Sequence, residues 1–246
     1  MDESETTSVD QVAAGYDVLA EKADEDLRRE ASPWGDSHFQ RHYSWPALQQ
    51  ALPELDDRRV LLAGCGRGDH VEWFREQGAT VTGVDVSEAA IRRAQERFDD
   101  EATFYHADLT DHLEFDDDDS FDLLVSNLVF SHIEAWRPVF EEFHRLLAPG
   151  GILVIATIHP RYIRSGAGIE SYDETTKLMN EWPGVEIPTY YRPMNAVVTP
   201  FIEAGFRLEA FDEPKPQESY EEHSPERYED ALRRPELLVI RARADQ

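Results

Sequence analysis

The sequence predicts an α/β protein built on a doubly wound parallel sheet, because short apolar runs alternate with segments of helical periodicity. In residues 60–68 an apolar run ends in three alternating glycines, and the next run, residues 81–85, ends in an acid. Further strands are predicted at 102–106, 121–127 and 152–158. The largely apolar character of the fourth strand, 121–127, is typical of a parallel sheet that is covered on both faces.

The segments between these strands carry helix signals. Ser87 is placed to cap a helix whose Ile91, Ala94 and Phe98 face inward. After the fourth strand, a helix is expected to begin near Pro138 and to stop before a fifth strand at a Pro-Gly-Gly sequence. Its apolar residues at helical spacing are Val139, Phe140, Phe143, Leu146 and Leu147, and the stop signal is Pro149-Gly150-Gly151.

The glycines after the first strand predict a nucleoside-binding crevice. Gly64, Gly66 and Gly68 allow a sharp turn from strand to helix and let main-chain N–H groups approach a ligand closely. Asp85 lies 21 positions beyond Gly64, where a carboxylate at the tip of the neighbouring strand can accept both ribose hydroxyl protons. An ordinary turn acid is the competing interpretation of Asp85.

The glycine loop does not match the dinucleotide pattern G-x-G-x-x-G, because Asp69 occupies the position of its third glycine. An acid in the first helical turn repels a pyrophosphate, although it could also serve only to favour the helix electrostatically. The G-x-G-x-G form suits S-adenosylmethionine, which has no phosphate. After the third strand, Asp108 could accept a proton from the adenine amine, or it could cap a turn.

Composition limits the class of protein. Fifty-one acids against 24 bases give a net charge of −27, and the lack of a basic stripe argues against a nucleic-acid partner. The single cysteine, Cys65, excludes an intrachain disulfide and multi-cysteine zinc sites. No apolar run of about 18 residues suggests a membrane span, so a cytoplasmic protein is predicted. The aspartates at 116–119 are interpreted as a solvated loop, since the spaced ligands of a calcium site are missing.

A single domain is predicted, because 246 residues suffice for one well-buried core. Its parts are an acidic tail and helical cap in 1–57, a cofactor-binding core in 58–160, a substrate-side insertion in 161–192, and a C-terminal helix with strands in 193–246. The tail is Met1 to Ser8, and a loop with Pro33, Trp34 and Gly35 precedes a short helix near 47–52. The face of the capping helix is formed by Val9, Val12, Ala13, Tyr16, Leu19, Ala20, Ala23 and Leu27. The closing helix is expected near 194–204, and the closing strands near 206–212 and 236–243.

With these motifs the chain resembles the class I S-adenosylmethionine-dependent methyltransferases, in particular the small-molecule group similar to methyltransferase types 11 and 25, whose first loop is similar to D-A-G-C-G-x-G. The likeness covers nearly the whole chain, including Tyr16-Asp17, 43–48, 143–151, 191–193 and 224–235. It implies a Rossmann-like doubly wound seven-stranded sheet with an antiparallel final strand and an N-terminal helical cap. The cofactor-binding residues expected on this basis are Tyr43, Ala63, Gly64, Cys65, Gly66, Gly68, Asp85, Val86, Asp108, Leu109 and Asn127. The abundance of acids and the three lysines resemble proteins of halophilic archaea, although solubility alone could also explain them.

One departure concerns the position two residues before the first loop glycine. The family usually has an acid there, which the resemblance implies helps to order the loop and the methionine portion of the cofactor, whereas this chain has Leu62. Two consequences are open. Cofactor binding could be weaker, or Asp69 and nearby main chain could substitute for the acid.

The resemblance implies a methyltransferase that acts on a small-molecule acceptor, in which aligning the acceptor can supply about 7–11 kcal/mol of the barrier. His132 and His159 follow strand ends on the crevice side and are candidate general bases, with structural hydrogen bonding as the alternative. Tyr16, His132, Tyr191 and Arg192 are candidates to line the acceptor site. Three alternative functions are a non-catalytic or regulatory S-adenosylmethionine-binding protein, an RNA methyltransferase and a nicotinamide-dependent oxidoreductase. No metal is expected, and either a monomer or a homodimer is compatible with the sequence.

Overall fold

The computed structural model describes residues 7–22, 38–114, 120–182 and 184–245. Several expectations fall outside these ranges. They concern most of the acidic N-terminal tail, the continuation of the first helix to Leu27, the loop at 33–35 and the aspartates at 116–119.

In the described part of the chain, seven strands form one mixed sheet and two more form a separate hairpin. The sheet order is β3-β2-β1-β4-β5-β9-β8, and β9 runs antiparallel to both of its neighbours, β5 and β8. This confirms the predicted doubly wound sheet with its antiparallel final strand. The strands are β1 Arg59–Ala63, β2 Thr80–Asp85, β3 Thr103–His106, β4 Phe121–Asn127, β5 Leu147–Ile158, β6 Thr176–Trp182, β7 Val185–Tyr191, β8 Phe206–Asp212 and β9 Leu237–Ala244.

Helices cover both faces of the sheet. The helices of the described ranges are α1 Ser8–Lys22, α2 Trp45–Ala51, α3 Val71–Glu76, α4 Glu88–Phe98, α5 Trp136–Leu146, α6 Pro160–Ala167, α7 Met194–Glu203 and α8 Pro225–Arg233. A π-helical turn, Gln40–Ser44, leads into α2, and short 3-10 turns lie at Asp99–Glu101, Phe130–His132 and Glu218–Tyr220. The predicted cap of α4 is confirmed, since Ser87 Oγ accepts a hydrogen bond from the Ala90 N–H at 3.1 Å.

The central strands explain why their sequences are apolar at consecutive positions. Successive side chains of a strand point to opposite faces of the sheet. In β1, Val60 packs with the cluster under α2, α3 and α4, whereas Leu61 packs with the cluster under α5 and α7. Leu123 and Leu124 of β4 divide in the same way, and all four side chains are fully buried. A strand covered on both faces therefore cannot alternate apolar with polar residues.

The junction of α5 and β5 differs from its prediction. The helix ends at Leu146, and β5 begins immediately at Leu147, five residues before the expected start. Phe121 pairs with Leu147 and Leu123 pairs with Ile152, so the Pro-Gly-Gly segment lies in an irregularity of the β4–β5 ladder. Gly150 adopts φ +76° there, a conformation that glycine permits at low cost. The helix therefore ends three residues before Pro149, and the predicted stop signal lies within β5.

The N-terminal helix α1 packs against α4 and β7. One oxygen of Asp17 accepts hydrogen bonds from Ser87 Oγ at 2.7 Å and from the Ala89 N–H at 3.0 Å, which places a carboxylate at the N-terminus of α4. On the other side, Lys177 Nζ of β6 donates to Ser8 Oγ at 2.8 Å and to Gln11 Oε1 at 3.0 Å. These contacts fix α1 beside the carboxyl ends of the parallel strands.

The segment 161–192, which shows little periodicity in sequence, contains most of α6 and the antiparallel pair β6 and β7. Most residues of β6 are exposed, whereas the second half of β7 is buried, so the hairpin lacks the regular alternation of a half-buried strand. Within the described ranges, none of the helices combines the length and the apolar character needed to span a bilayer.

Candidate active site

A cavity of about 420 Å³ lies at the carboxyl ends of β1, β2 and β4, beneath α1. The order of the strands reverses between β1 and β4, and ligands of open α/β sheets bind at such a switch point. The predicted site residues that line this cavity are Tyr16, Ala63, Gly64, Cys65, Gly66, Asp85, Val86, Asp108, Leu109, Asn127 and His132.

The glycine turn brings bare main chain to the cavity. Gly64 adopts φ +78°, and a β-carbon built on it would lie 2.1 Å from Cγ2 of Val129, so no larger residue fits without rearrangement. The N–H groups of Gly64 and Cys65 both donate to the Val84 carbonyl, at 2.8 and 3.0 Å, which holds the turn against β2. At the end of β4, Leu128 also has a positive φ, +62°. A non-glycine residue in this region is strained, and such strain concentrates at functional sites.

Asp85 lies between the turn and the start of α4. Its two carboxylate oxygens accept hydrogen bonds from the Gly66 N–H at 2.8 Å and the Ser87 N–H at 2.9 Å. Burial raises the pKa of Asp85, the two N–H donors oppose that rise, and the nearby Asp17 carboxylate adds to it. An ionised carboxylate has about four acceptor positions. Two positions are therefore left for ligand hydroxyls while the backbone bonds are kept.

Asp108 follows β3 and lines the cavity together with Leu109 and Thr110. Its Oδ1 accepts a hydrogen bond from the Thr110 N–H at 2.8 Å. The turn-capping interaction is thus present, and it occupies one of the two carboxylate oxygens. The adenine contact of Asp108 stays a prediction.

A polar cluster that the sequence did not indicate surrounds Asn127. The His70 ring stacks on Trp45 with centroids 3.9 Å apart, and His70 Nε2 lies 3.5 Å from Asn127 Nδ2. Burial lowers the pKa of His70 to about 4, so its imidazole is neutral at neutral pH. Asn127 Oδ1 is buried without a hydrogen-bond partner. A buried unpaired acceptor costs roughly 1–3 kcal/mol, and a ligand donor in the cavity would relieve that cost.

Leu62, which occupies the position where the family usually has an acid, presents an apolar side chain to the cavity. Leu62 is 6% exposed and lines the cavity. Asp69 also lines it, but its carboxylate pairs with Arg97 at 3.0 Å and with Arg67 at 3.5 Å. Its charge is therefore partly neutralised by these arginines, and Asn127 Oδ1 is a second acceptor on the same cavity wall.

Tyr16 and His132 form a hydrogen-bonded pair inside the cavity. The distance from the Tyr16 hydroxyl to His132 Nε2 is 2.9 Å, and His132 Nδ1 lies 2.7 Å from the Pro188 carbonyl oxygen. A carbonyl can only accept, so Nδ1 must carry a proton. Burial lowers the pKa of His132 and therefore favours the neutral ring, in which Nε2 accepts a hydrogen bond from the Tyr16 hydroxyl. Burial also raises the pKa of Tyr16, and the Asp85 charge adds to this effect, which keeps the phenol protonated.

The wall opposite the glycine turn comes from β7, and here the structure corrects the sequence analysis by one position. Tyr190 lines the cavity and donates to Glu134 at 3.2 Å. Tyr191 points to the other face, where its hydroxyl donates to the Tyr172 carbonyl at 3.0 Å. Adjacent residues of a strand face opposite sides, so only one of the two tyrosines can reach the cavity.

Arg192 does not line the cavity but supports it from behind. It is 3% exposed, lies over the Trp136 ring at 4.2 Å, and donates to the carbonyls of Phe130, Ile133 and Glu134. Burial lowers its pKa to about 9. Arg192 therefore holds the loop that carries His132 instead of facing an acceptor.

Three further predicted residues lie away from the cavity. His159 Nε2 lies 2.8 Å from Glu213 Oε1, and its Nδ1 accepts from the Arg161 N–H at 3.0 Å, as the N-cap of α6. The Tyr43 hydroxyl donates to the Pro214 carbonyl at 2.7 Å within the core. Gly68 packs on the Phe98 ring, and a β-carbon built on Gly68 would lie 2.7 Å from Cε2 of Phe98.

A second cavity, of about 670 Å³, adjoins the first and shares Trp45, Asp69 and His70 with it. It gathers arginines from three separate segments, a local basic character that the sequence does not reveal. The remaining lining residues are Arg41, Arg67, Arg93, Glu96 and Arg97.

A cavity at the switch point, a glycine turn and an acid at the end of β2 define an α/β protein that binds a nucleoside cofactor. A family profile described as a methyltransferase domain matches residues 61–155. The S-adenosylmethionine-dependent methyltransferase of Mesorhizobium loti is 31% identical, with a TM-score of 0.66, over 81% of this chain and 97% of that one. The chain belongs to the S-adenosylmethionine-dependent methyltransferases, and its cofactor is S-adenosylmethionine.

Two curated relatives differ in whether their names state an activity. A protein of Haemophilus influenzae that is described only as uncharacterized is 26% identical over 220 residues, which cover 80% of this chain and 85% of the relative. A ubiquinone biosynthesis O-methyltransferase of Maricaulis maris is 33% identical over 103 residues, 41% of either chain. These two names specify no acceptor for this chain.

Proposed function

We propose that the protein transfers a methyl group to a small-molecule hydroxyl or amine, and that Tyr16 and His132 remove the acceptor proton. The observation that carries this proposal is the Tyr16–His132–Pro188 hydrogen-bonded chain inside the cofactor cavity. In a buried neutral histidine whose Nδ1–H is bonded to a carbonyl, Nε2 is the basic nitrogen and can accept a proton from Tyr16.

The proton path follows from the geometry. As the acceptor atom is methylated, its proton passes to the Tyr16 oxygen, and Tyr16 passes its own proton to His132 Nε2. The imidazolium that forms keeps its Nδ1–H bond to the Pro188 carbonyl. Because burial raises the pKa of Tyr16 and lowers that of His132, the resting state is phenol plus neutral imidazole. General base catalysis of this kind typically contributes about 100- to 10,000-fold.

The residues of the cavity fit the cofactor. Asp85 has acceptor positions for ribose hydroxyls, and the unpartnered Asn127 Oδ1 suits the ammonium of the methionine portion. When bound, S-adenosylmethionine supplies a methyl group already activated on a sulfonium. The protein's own contribution is alignment of the acceptor, exclusion of water beneath α1 and removal of the proton.

The size and enclosure of the cavity support a small acceptor. The cavity of about 420 Å³ lies within the range of small-ligand sites, roughly 300–1,000 Å³, and it must hold the cofactor together with the acceptor, so a small acceptor fits it best. Val9 and Val12 of α1 and Ile133 give the far wall an apolar surface, and Tyr190 with Glu134 adds polar groups. An acceptor with an apolar body and one polar reacting group matches this lining. The Maricaulis maris relative, named as an O-methyltransferase, is compatible with a hydroxyl acceptor.

An RNA acceptor is the second candidate, because of one observation. The arginine-lined second cavity adjoins the cofactor site and could contact phosphate. One feature favours the small molecule instead, because α1 covers the cavity. In a regulatory S-adenosylmethionine-binding protein, the third candidate, the Tyr16–His132 pair would have only a structural role.

We also propose that the acidic surface is an adaptation to concentrated salt, as in halophilic archaea. Fifty-one acids against 24 bases repel one another in dilute buffer. At 1 M salt the Debye length falls to about 3 Å, which screens that repulsion. Assays of the protein are therefore designed in molar potassium chloride.

The test measures binding and turnover separately. Calorimetry should detect S-adenosylmethionine and S-adenosylhomocysteine but not NAD. Release of S-adenosylhomocysteine is then followed with a panel of small hydroxyl and amine compounds and, in a parallel arm, with total RNA. We expect turnover in the small-molecule arm, with His132→Gln and Tyr16→Phe slowing it about 100-fold or more at unchanged cofactor affinity.

His159→Gln is the matched control, since His159 lies outside the cavity, and it should turn over like the parent protein. Unchanged turnover in His132→Gln would refute the general-base role of His132 and leave alignment of the acceptor as the protein's contribution to catalysis. Turnover with RNA alone would overturn the small-molecule acceptor, and cofactor binding without any turnover would favour the regulatory alternative.

A further inference from the structure

Three histidines from distant parts of the chain meet at the surface beside the cofactor site. His38 and His42 are four positions apart, just before and within the π-helical turn, and His223 belongs to the segment between the last 3-10 turn and α8. The ring centroids of His38 and His223 are 3.8 Å apart, and those of His42 and His223 are 5.5 Å apart. One ring nitrogen from each histidine lies within 4.8 Å of the other two.

We propose that His38, His42 and His223 bind one divalent transition-metal ion of the zinc type. Imidazole nitrogen suits Zn²⁺, Ni²⁺ and Cu²⁺, whereas Mg²⁺ and Ca²⁺ prefer oxygen ligands. Histidines at positions i and i+4 of a helical segment share one face, which presents two nitrogens to the same ion. Rotation of the partly exposed rings brings the nitrogens from their present separation to Zn–N distances of about 2.0–2.1 Å.

The hydrogen bond of His42 supports a ligand role. His42 Nδ1 lies 2.8 Å from Ser219 Oγ. If Nδ1–H donates to this hydroxyl, the lone pair of Nε2 is left for a metal. Metal-binding histidines commonly donate their second nitrogen to such a partner, which fixes both the tautomer and the ring orientation.

The three imidazoles supply three of the four ligands of a tetrahedral site, and water would supply the fourth.

A metal at this position would add a further link between two segments that already contact each other. The Gln217 N–H donates to the His42 carbonyl at 2.9 Å, and His42 Nδ1 lies 2.8 Å from Ser219 Oγ, so the ion would strengthen the connection between the segment around 217–223 and the π-helical turn. Gln40 of that turn and Trp45, which follows it, line the cofactor cavity. The ion would thus stabilise the wall of the cofactor site without taking part in methyl transfer, and the inference does not depend on the proposed acceptor.

The experiment uses the full chain, stripped of metal with a chelator and dialysed into molar potassium chloride. Zn²⁺ and Ni²⁺ are titrated by calorimetry, and thermal unfolding is followed at each metal concentration. We expect one equivalent of Zn²⁺ to bind and to raise the unfolding temperature. The single substitutions His38→Asn, His42→Asn and His223→Asn should each weaken Zn²⁺ binding at least about tenfold.

Two controls separate this site from general attraction to an acidic surface. His144→Asn alters a histidine on α5 that bonds the Asp245 carbonyl, and it should bind Zn²⁺ like the parent protein. Mg²⁺ at the same concentration should bind without a defined stoichiometry. Co²⁺ provides a readout that does not depend on folding, because coordination by nitrogen ligands produces visible absorption bands that His223→Asn should abolish. Equal Zn²⁺ affinity in the parent protein and all three variants, or equal responses to Zn²⁺ and Mg²⁺, would overturn the proposal.

Discussion

Asp85 offers the most direct test of the cofactor site, through the substitution Asp85→Asn. In the folded protein the two oxygens accept from the Gly66 and Ser87 N–H groups at 2.8 and 2.9 Å. Asparagine has one oxygen and one NH₂ group, so at least one of these two N–H donors loses its acceptor. Leaving a buried donor unsatisfied costs about 1–3 kcal/mol, and the free energy of unfolding should fall by that amount.

Cofactor affinity should fall independently of stability. A hydrogen bond to a charged group is worth about 1.5–3 kcal/mol, so losing the carboxylate that faces ribose should raise the Kd for S-adenosylmethionine about 10- to 140-fold. Calorimetry measures the Kd, and denaturant unfolding monitored by tryptophan fluorescence measures stability. Asp100→Asn, in an exposed turn after α4, is the matched control and should change neither quantity. An unaltered Kd in Asp85→Asn, with the protein folded, would refute the ribose assignment.

Four further predictions concern other parts of the molecule. Gly64→Ala should abolish detectable cofactor binding by calorimetry because its β-carbon meets Val129, whereas Gly150→Ala, with φ +76° but open space, should cost only about 1–2 kcal/mol in denaturant unfolding. Arg192→Met removes the donor of the Ile133 and Glu134 carbonyls, whereas the Phe130 carbonyl keeps the Trp136 indole N–H, and it should lower the unfolding free energy by about 2–3 kcal/mol; no loss would show that the loop is held by other contacts. Since burial lowers the pKa of His132 below its usual 6.5, turnover should decline in acid with a midpoint below pH 6.5, and a midpoint at or above 6.5 in the pH–rate profile would contradict this. The unfolding temperature should rise between dilute buffer and molar potassium chloride, and an equal temperature in both would exclude the salt adaptation.

The local features of the fold could be predicted because each depends on neighbouring residues. The apolar runs of β1 and β4 indicate burial on both faces, Ser87 caps the helix that follows it, and the glycines after β1 allow the turn. The spacing to Asp85 predicts a position that the topology confirms, since β1 and β2 are adjacent and parallel. The sequence did not indicate which of the two consecutive tyrosines of β7 faces the cavity. That depends on the register of the hairpin, which only the structure shows.

The sequence by itself determined the sheet, its glycine turn and the acid at the end of β2, since chain-local sterics and hydrophobic periodicity specify these. Tertiary structure alone brought Tyr16 to His132 across 116 positions, His70 to Asn127 across 57, and His38 to His223. No local pattern encodes such pairs, because they arise when helices and loops pack against the sheet and their side chains meet. The reaction class is therefore accessible from the sequence, whereas the proton path and the histidine cluster depend on how distant segments pack.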